Sequence, residues 1–283
     1  MIDFLLEPFN YNYMVNAMWV STLVGVVCAF LSSYIMLKGW SLIGDALSHS
    51  VIPGVAIAYT LGFPFAMGAF ISGGLAAAAM LFLSERSGLK VDVVIGLIFT
   101  SFFGLGLFII SINPISIPIQ TIIMGNILAV TPNDTLQLAI IGFISLLILS
   151  LKWKDLMVAF FDENHARTIG INPRLMKAIF FILLSASIVA AMQTVGAFLV
   201  IALVIIPGAI GFLLCDRFQY LILTAVIVGA LTCFFGVYLS FFLDGATGGI
   251  IVTLQFIIFL VTFLVAPKYG LIANKKINKI SLG

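Results

Sequence analysis

Runs of about 20 predominantly apolar residues recur along this chain, separated by short connections, and an α-helix needs about that length to cross a bilayer. The runs fall near residues 15–37, 42–61, 64–84, 91–112, 134–151, 175–193, 196–214, 218–243 and 247–266. In hydrocarbon a backbone must satisfy its own hydrogen bonds, so each run reads as a helix. The expectation is an all-α integral membrane protein with about nine transmembrane helices in one domain spanning 1–283. Charged residues are only 8% of the 283, against about a quarter in a soluble domain. The short connections leave no room for a soluble catalytic domain.

Placement of charge gives the orientation, because Lys and Arg concentrate on the cytoplasmic side. With the N-terminus outside and the C-terminus inside, all 13 Lys and Arg fall in cytoplasmic segments, ending in a basic tail over 268–283 that carries Lys268, Lys275, Lys276 and Lys279. The outer side keeps Asp3, Glu7, Asp134 and Asp244. Met1 to Tyr13 has no Lys or Arg, so the first span, rather than a cleaved leader, serves as the insertion signal. The three cysteines, Cys28, Cys215 and Cys233, form no CxxC pair and read as small buried apolar residues.

One polar stretch interrupts the second run: Gly44-Asp45-Ala46-Leu47-Ser48-His49-Ser50-Val51-Ile52-Pro53-Gly54. Asp45 and His49 are four residues apart, a spacing that stacks both side chains on one helix face. An Asp in the membrane centre costs about 2.5–3.5 kcal/mol on insertion scales, so its presence points to function. Metal ligation, proton relay and gate closure all fit the pair. Carboxylate oxygen with imidazole nitrogen suits divalent manganese, iron or zinc. One chain supplies two such ligands, and a symmetric dimer would double the set. Pro53 removes the donor for the His49 carbonyl and is expected to break or bend the helix there. Ser41 is placed to cap the start of this span. Asp45 lies only about one turn beyond that start, nearer the cytoplasmic end than the midplane.

The longest cytoplasmic connection, about 154–174, has both a helix start and a helix stop. Asp162 suits an N-cap, Glu163 the first turn, and Gly170 a C-terminal stop before Asn172-Pro173. A helix of two turns is unstable alone in water, so it must dock on something. His165 in this loop reads as a surface histidine. Elsewhere, 113–131 is too short and mixed to span and reads as an outer half-helix. Pro207 in Pro207-Gly208 should break or kink its apolar run. Gly73-Gly74 marks close helix packing. Asp244, in the turn Asp244-Gly245-Ala246-Thr247-Gly248-Gly249, is one of few outer charges and could meet an external partner or an entering cation. No phosphate loop and no HExxH zinc motif is present, so the chain has no recognisable ATPase or protease chemistry of its own.

The Gly44–Gly54 stretch resembles the signature of the ABC-3 family, the metal-ion permeases of bacterial ABC importers that serve manganese, zinc and iron. Asp162-Glu163-Asn164-His165-Ala166-Arg167-Thr168-Ile169-Gly170 is similar to that family's Asp-x-x-x-Ala-x-x-x-Gly loop, and Thr194-Val195-Gly196 through Ile206-Pro207 to a later span. The resemblance implies a type II permease, a shortened form of the vitamin B12 permease architecture, in a bacterial inner membrane. It implies no enzymatic activity and no resident cofactor, the metal ion being cargo. The implied partners are a cytoplasmic ATPase, an extracytoplasmic metal-binding protein and a second permease subunit, the same or related; no nucleic acid is implied. It assigns Asp45 and His49 to the translocation path and Asp162, Glu163, Ala166 and Gly170 to coupling with the ATPase. The iron and manganese subgroup is the nearest match. Two other readings stand beside it: a proton- or cation-coupled carrier using Asp45, and a permease for a metal chelate, whose wider path would not need Asp and His so close.

Overall fold

A computed structural model describes residues 2–40, 42–112, 127–266 and 270. Helix α1 (Ile2–Leu6) and a 3-10 turn (Glu7–Asn10) lead into α2 (Asn12–Lys38), α3 (Ile43–Ser50), α4 (Ile52–Leu61), α5 (Phe65–Arg86) and α6 (Val91–Ile112). A second 3-10 turn (Ile127–Ala129) precedes α7 (Pro132–Phe161), α8 (Glu163–Thr168), α9 (Pro173–Val195), α10 (Ala197–Leu214), α11 (Phe218–Leu243) and α12 (Thr247–Val265). Among the described residues, eight helices are long and apolar enough to cross a membrane: α2, α5, α6, α7 and α9 to α12.

The remaining expected span, 42–61, is divided in two. Helix α3 ends at Ser50 and α4 begins at Ile52, with Pro53 in the first turn of α4. A proline there costs nothing to α4, whose first amides are unpaired anyway, but denies the His49 carbonyl its usual donor four residues on; the Val51 N–H turns to it instead.

Three other expectations shift. Helix α7 runs on to Phe161 instead of ending near 151, so the first part of the 154–174 connection is helical. Its last turns carry Lys152 and Asp155, paired at 3.0 Å. Second, α10 continues through Pro207 without a break. Ser32 on α2 lies against this stretch: its hydroxyl accepts from the Gly208 N–H at 2.9 Å and donates to the Ile205 carbonyl at 3.2 Å. A hydroxyl thus holds backbone groups on either side of the proline. Third, only Gly73 of the Gly73-Gly74 pair is closely packed; a Cβ there would stand 2.9 Å from Val189, whereas Gly74 faces open space. Ser41, residues 113–126 of the expected outer half-helix, and Lys268, Lys275, Lys276 and Lys279 of the basic tail lie outside the described residues.

The chain divides into two compact units. In the first (Met1–Met36, Ile127–Ala129 and Ala202–Gly283), α2 meets α11 backbone to backbone. A Cβ on Gly25 would lie 2.6 Å from the Gly229 carbonyl oxygen. Gln255 of α12 donates to Thr232 of α11 at 2.9 Å. In the second (Leu37–Asn126 and Val130–Ile201), α5 packs on α4 and α9, and α9 on α7. Its core gathers Val51, Ala69, Val189, Met192 and Ala197.

Candidate functional site

Helix α3 buries Ile43, Gly44, Ala46, Leu47, Ser48 and Ser50, which leaves Asp45 and His49 on its remaining face. Their side chains meet: His49 Nε2 lies 3.3 Å from Asp45 Oδ1. The imidazole stands edge-on to Phe99 and Phe103 of α6, with ring centroids 5.6 Å away in both cases. Two stacked phenyl rings therefore fix its orientation. Asp45 keeps 39% and His49 21% of its side-chain surface exposed, so both donors remain reachable. Asp45 sits in the first turn of α3, where unpaired amides favour a carboxylate.

The break after His49 is held from two sides. Ser72 of α5 donates its hydroxyl to the Ser50 carbonyl at 2.5 Å. Two residues farther into α4, Gly54 and Gly68 cross so closely that a Cβ on either would run into the other's backbone carbonyl. On the α6 side, Gly106 leaves room for Ile52 and Pro53; a Cβ there would stand 3.1 Å from the Pro53 nitrogen. The sequence carries a signal for this clamp, because Ser50-x-x-x-Gly54 and Gly68-x-x-x-Ser72 are both small-xxx-small pairs. Among the described residues no group of three His, Cys, Asp or Glu side chains could hold a metal ion.

At the other expected site, the structure brings 162–170 together as a bounded helix. Asp162 caps α8, accepting from the Asn164 and His165 amides at 2.9 and 3.0 Å. Those bonds, the His165 amide first, hold its carboxyl below the usual range. Gly170, at φ +83°, ends the helix: its N–H reaches the Arg167 carbonyl and the Ile171 N–H the Ala166 carbonyl, the paired bonds of a Schellman stop. Ala166 is fully buried. Glu163 turns back to Lys177 of α9, Oε1 to Nζ 2.7 Å. Asp162, Glu163, Ala166 and Gly170 thus build and seat α8. Asn164, His165, Arg167 and Thr168 are the exposed residues it offers outward. Helix-end rules have a sequence signature, which marks Asp162, Glu163 and Gly170, and Ala166 follows from the family resemblance; an exposed face of four residues has no such signature.

Asp244 is exposed and closes α11 in the left-handed region, φ 47° and ψ 39°. Asp tolerates that conformation better than most residues, so the helix end alone accounts for it structurally.

The chain is 59% identical over 275 residues to the chelated iron transport system membrane protein YfeC of Yersinia pestis, covering 97% of this chain and 94% of that one. It is 44% identical over 271 residues to the manganese transport system membrane protein MntB of Synechocystis, covering 96% and 89%. Among solved structures, PsaBC from Streptococcus pneumoniae in complex with Fab matches with a TM-score of 0.82 at 32% identity, over 95% of this chain and 98% of that chain. Residues 10–266 match the ABC 3 transport family. A multi-pass membrane chain with an Asp-His pair at a broken helix and a bounded connecting helix, it belongs to the ABC 3 transport family.

Proposed function

We propose that this chain is the permease subunit of an ABC importer that moves a divalent transition metal ion, iron, manganese or, by ligand type, zinc, into the cytoplasm. The observation that carries the reading is the Asp45/His49 pair, preoriented by Phe99 and Phe103 and reachable from outside the chain. A carboxylate and an imidazole suit manganese, iron and zinc alike. Two donors underfill any of these ions, so a second permease subunit, identical or related, brings the matching pair and closes the shell. The relatives' iron and manganese systems support that cargo class.

In the proposed cycle an extracytoplasmic binding protein delivers the ion at the outer face, where the exposed Asp244 belongs to the docking surface. Asp45 and His49 of both subunits take it up in place of water. The metal is cargo and is released, so a partly exposed carboxylate is an asset: the site binds well enough to capture and loosely enough to let go. A separate cytoplasmic ATPase engages the exposed face of α8 and drives the change that opens the pair inward. Accumulation of radioactive manganese and iron in cells expressing the complete system tests the reading. Asp45→Ala and His49→Ala should each abolish uptake while the complex still assembles. Wild-type uptake by both variants would end it.

A further inference from the structure

Helix α8 has six residues and no stability of its own, so whatever it transmits passes through its few ties to the rest of the unit. The most directional tie is the Glu163–Lys177 ion pair. Its Lys177 side chain is 14% and its Glu163 side chain 36% exposed, so the ammonium is the shielded end, and the contact is 2.7 Å long. Shielded in this way, the pair is less screened than an ordinary surface bridge. Lys38, the last residue of α2, faces the same pair, and its ammonium lies 6.0 Å from the Phe160 ring.

Four residues along α9 from Lys177, and so on the same face, stands Phe181. Its ring meets Trp40 at 5.5 Å, and Trp40 also meets Phe160, at the end of α7, at 5.5 Å. Trp40 is 7% exposed and sits three positions before Ile43, where α3 begins. One face of α9 therefore grips the connecting helix with Lys177 and the turn into the Asp45/His49 helix with Phe181.

We propose that Lys177 is a positioning residue for energy coupling: through Glu163 it makes α8, α9 and the Trp40 turn move together, so that displacement of α8 reaches α3. This inference rests on the ATPase-driven reading above. It assigns Lys177 no contact with metal or nucleotide. Its loss should leave ATP hydrolysis running and uncouple it from transport.

The test uses the complete importer, permease with its own ATPase and binding protein, in proteoliposomes. Metal uptake, with Mn²⁺ as the probe, and ATP hydrolysis are read in the same vesicles. Lys177→Gln should lower the ions moved per ATP by at least about fivefold, the low end of typical coupling between sites, while hydrolysis continues. Lys177→Arg should restore the ratio, as should the reciprocal exchange of Glu163→Lys with Lys177→Glu. A ratio for Lys177→Gln within twofold of wild type would overturn the inference. So would a parallel loss of hydrolysis and uptake that neither Lys177→Arg nor the exchange repairs. If wild-type vesicles take up Mn²⁺ without ATP, the importer reading itself falls; ATP-dependent wild-type uptake with a fully coupled Lys177→Gln removes only this inference.

Discussion

Gly68→Ala isolates the crossing that holds the broken helix. Helices α4 and α5 touch there through backbone. A Cβ on Gly68 would meet the Gly54 carbonyl oxygen and stand 2.7 Å from Ala58 Cβ and 2.8 Å from the Gly54 carbonyl carbon. None of these atoms can rotate away, so the helices must separate by roughly 1 Å to restore ordinary contact, and overpacking of this kind costs about 1–3 kcal/mol. The upper end applies, because backbone and not a flexible side chain has to yield. Separation also lengthens the Ser72 to Ser50 hydrogen bond, one helical turn away on the same face of α5, and interhelical bonds in membrane proteins contribute about 0.6 kcal/mol on average. The expected loss is about 3 kcal/mol, read as unfolding in detergent micelles. Because the Ser50 carbonyl follows directly on His49, the folded fraction should also lose metal uptake. Gly74→Ala on the same helix is the control: nothing lies within 4 Å of its Cβ, so stability should stay within about 0.5 kcal/mol of wild type. Wild-type stability for Gly68→Ala, or equal losses for the two variants, would refute the reasoning.

Ser32→Ala removes the hydroxyl bridging Ile205 and Gly208; it should cost about 1–3 kcal/mol by stranding a buried amide, measured by the same unfolding assay. Gly170→Ala puts a side chain at φ +83° and should destabilise the end of α8 by about 1–2 kcal/mol. Limited proteolysis between α8 and α9 would reveal it as faster cleavage. The Asp162 carboxyl titrates below the ordinary aspartate value of 3.8 because the α8 amides bond its charged form. Its stabilisation is therefore complete at pH values above 3.8 and lost as pH falls through the lower folded value. Hydrogen exchange at the Asn164 and His165 amides should show cap protection at pH 6 that fades on acidification toward pH 3 and is absent in Asp162→Ala at both.

Much of this architecture was legible in the sequence, because membrane helices announce themselves by length and apolarity. The spans expected at 91–112 and 218–243 coincide with α6 and α11. The interruption of 42–61 followed from Pro53. Local rules failed where a distant residue answers a local defect. Pro207 looked like a break or kink, yet the helix runs on, and Ser32, 175 positions earlier, bonds the Ile205 carbonyl and the Gly208 amide on either side of it. The end of α7 was misjudged because charged residues at 152–155 read as loop, whereas long side chains can extend from a helix into water. At the Asp45/His49 pair the spacing was visible, but the supports were not. Phe99 and Phe103 looked like any other apolar residues of their run, and Ser72, Gly68 and Gly106 acquire meaning only from what packs against them. Lys177 read as one more cytoplasmic charge, since nothing local links it to Glu163.

The central claim is that Asp45 and His49 of two subunits together hold the transported ion. Its most direct test is X-ray absorption on Mn²⁺ held by the complete importer arrested with a non-hydrolysable nucleotide. The account predicts one ion per two permease chains, with both imidazole nitrogen and carboxylate oxygen in the first shell, and loss of that ion in His49→Ala. A shell lacking imidazole, or the same ion retained at full occupancy in His49→Ala, would contradict it.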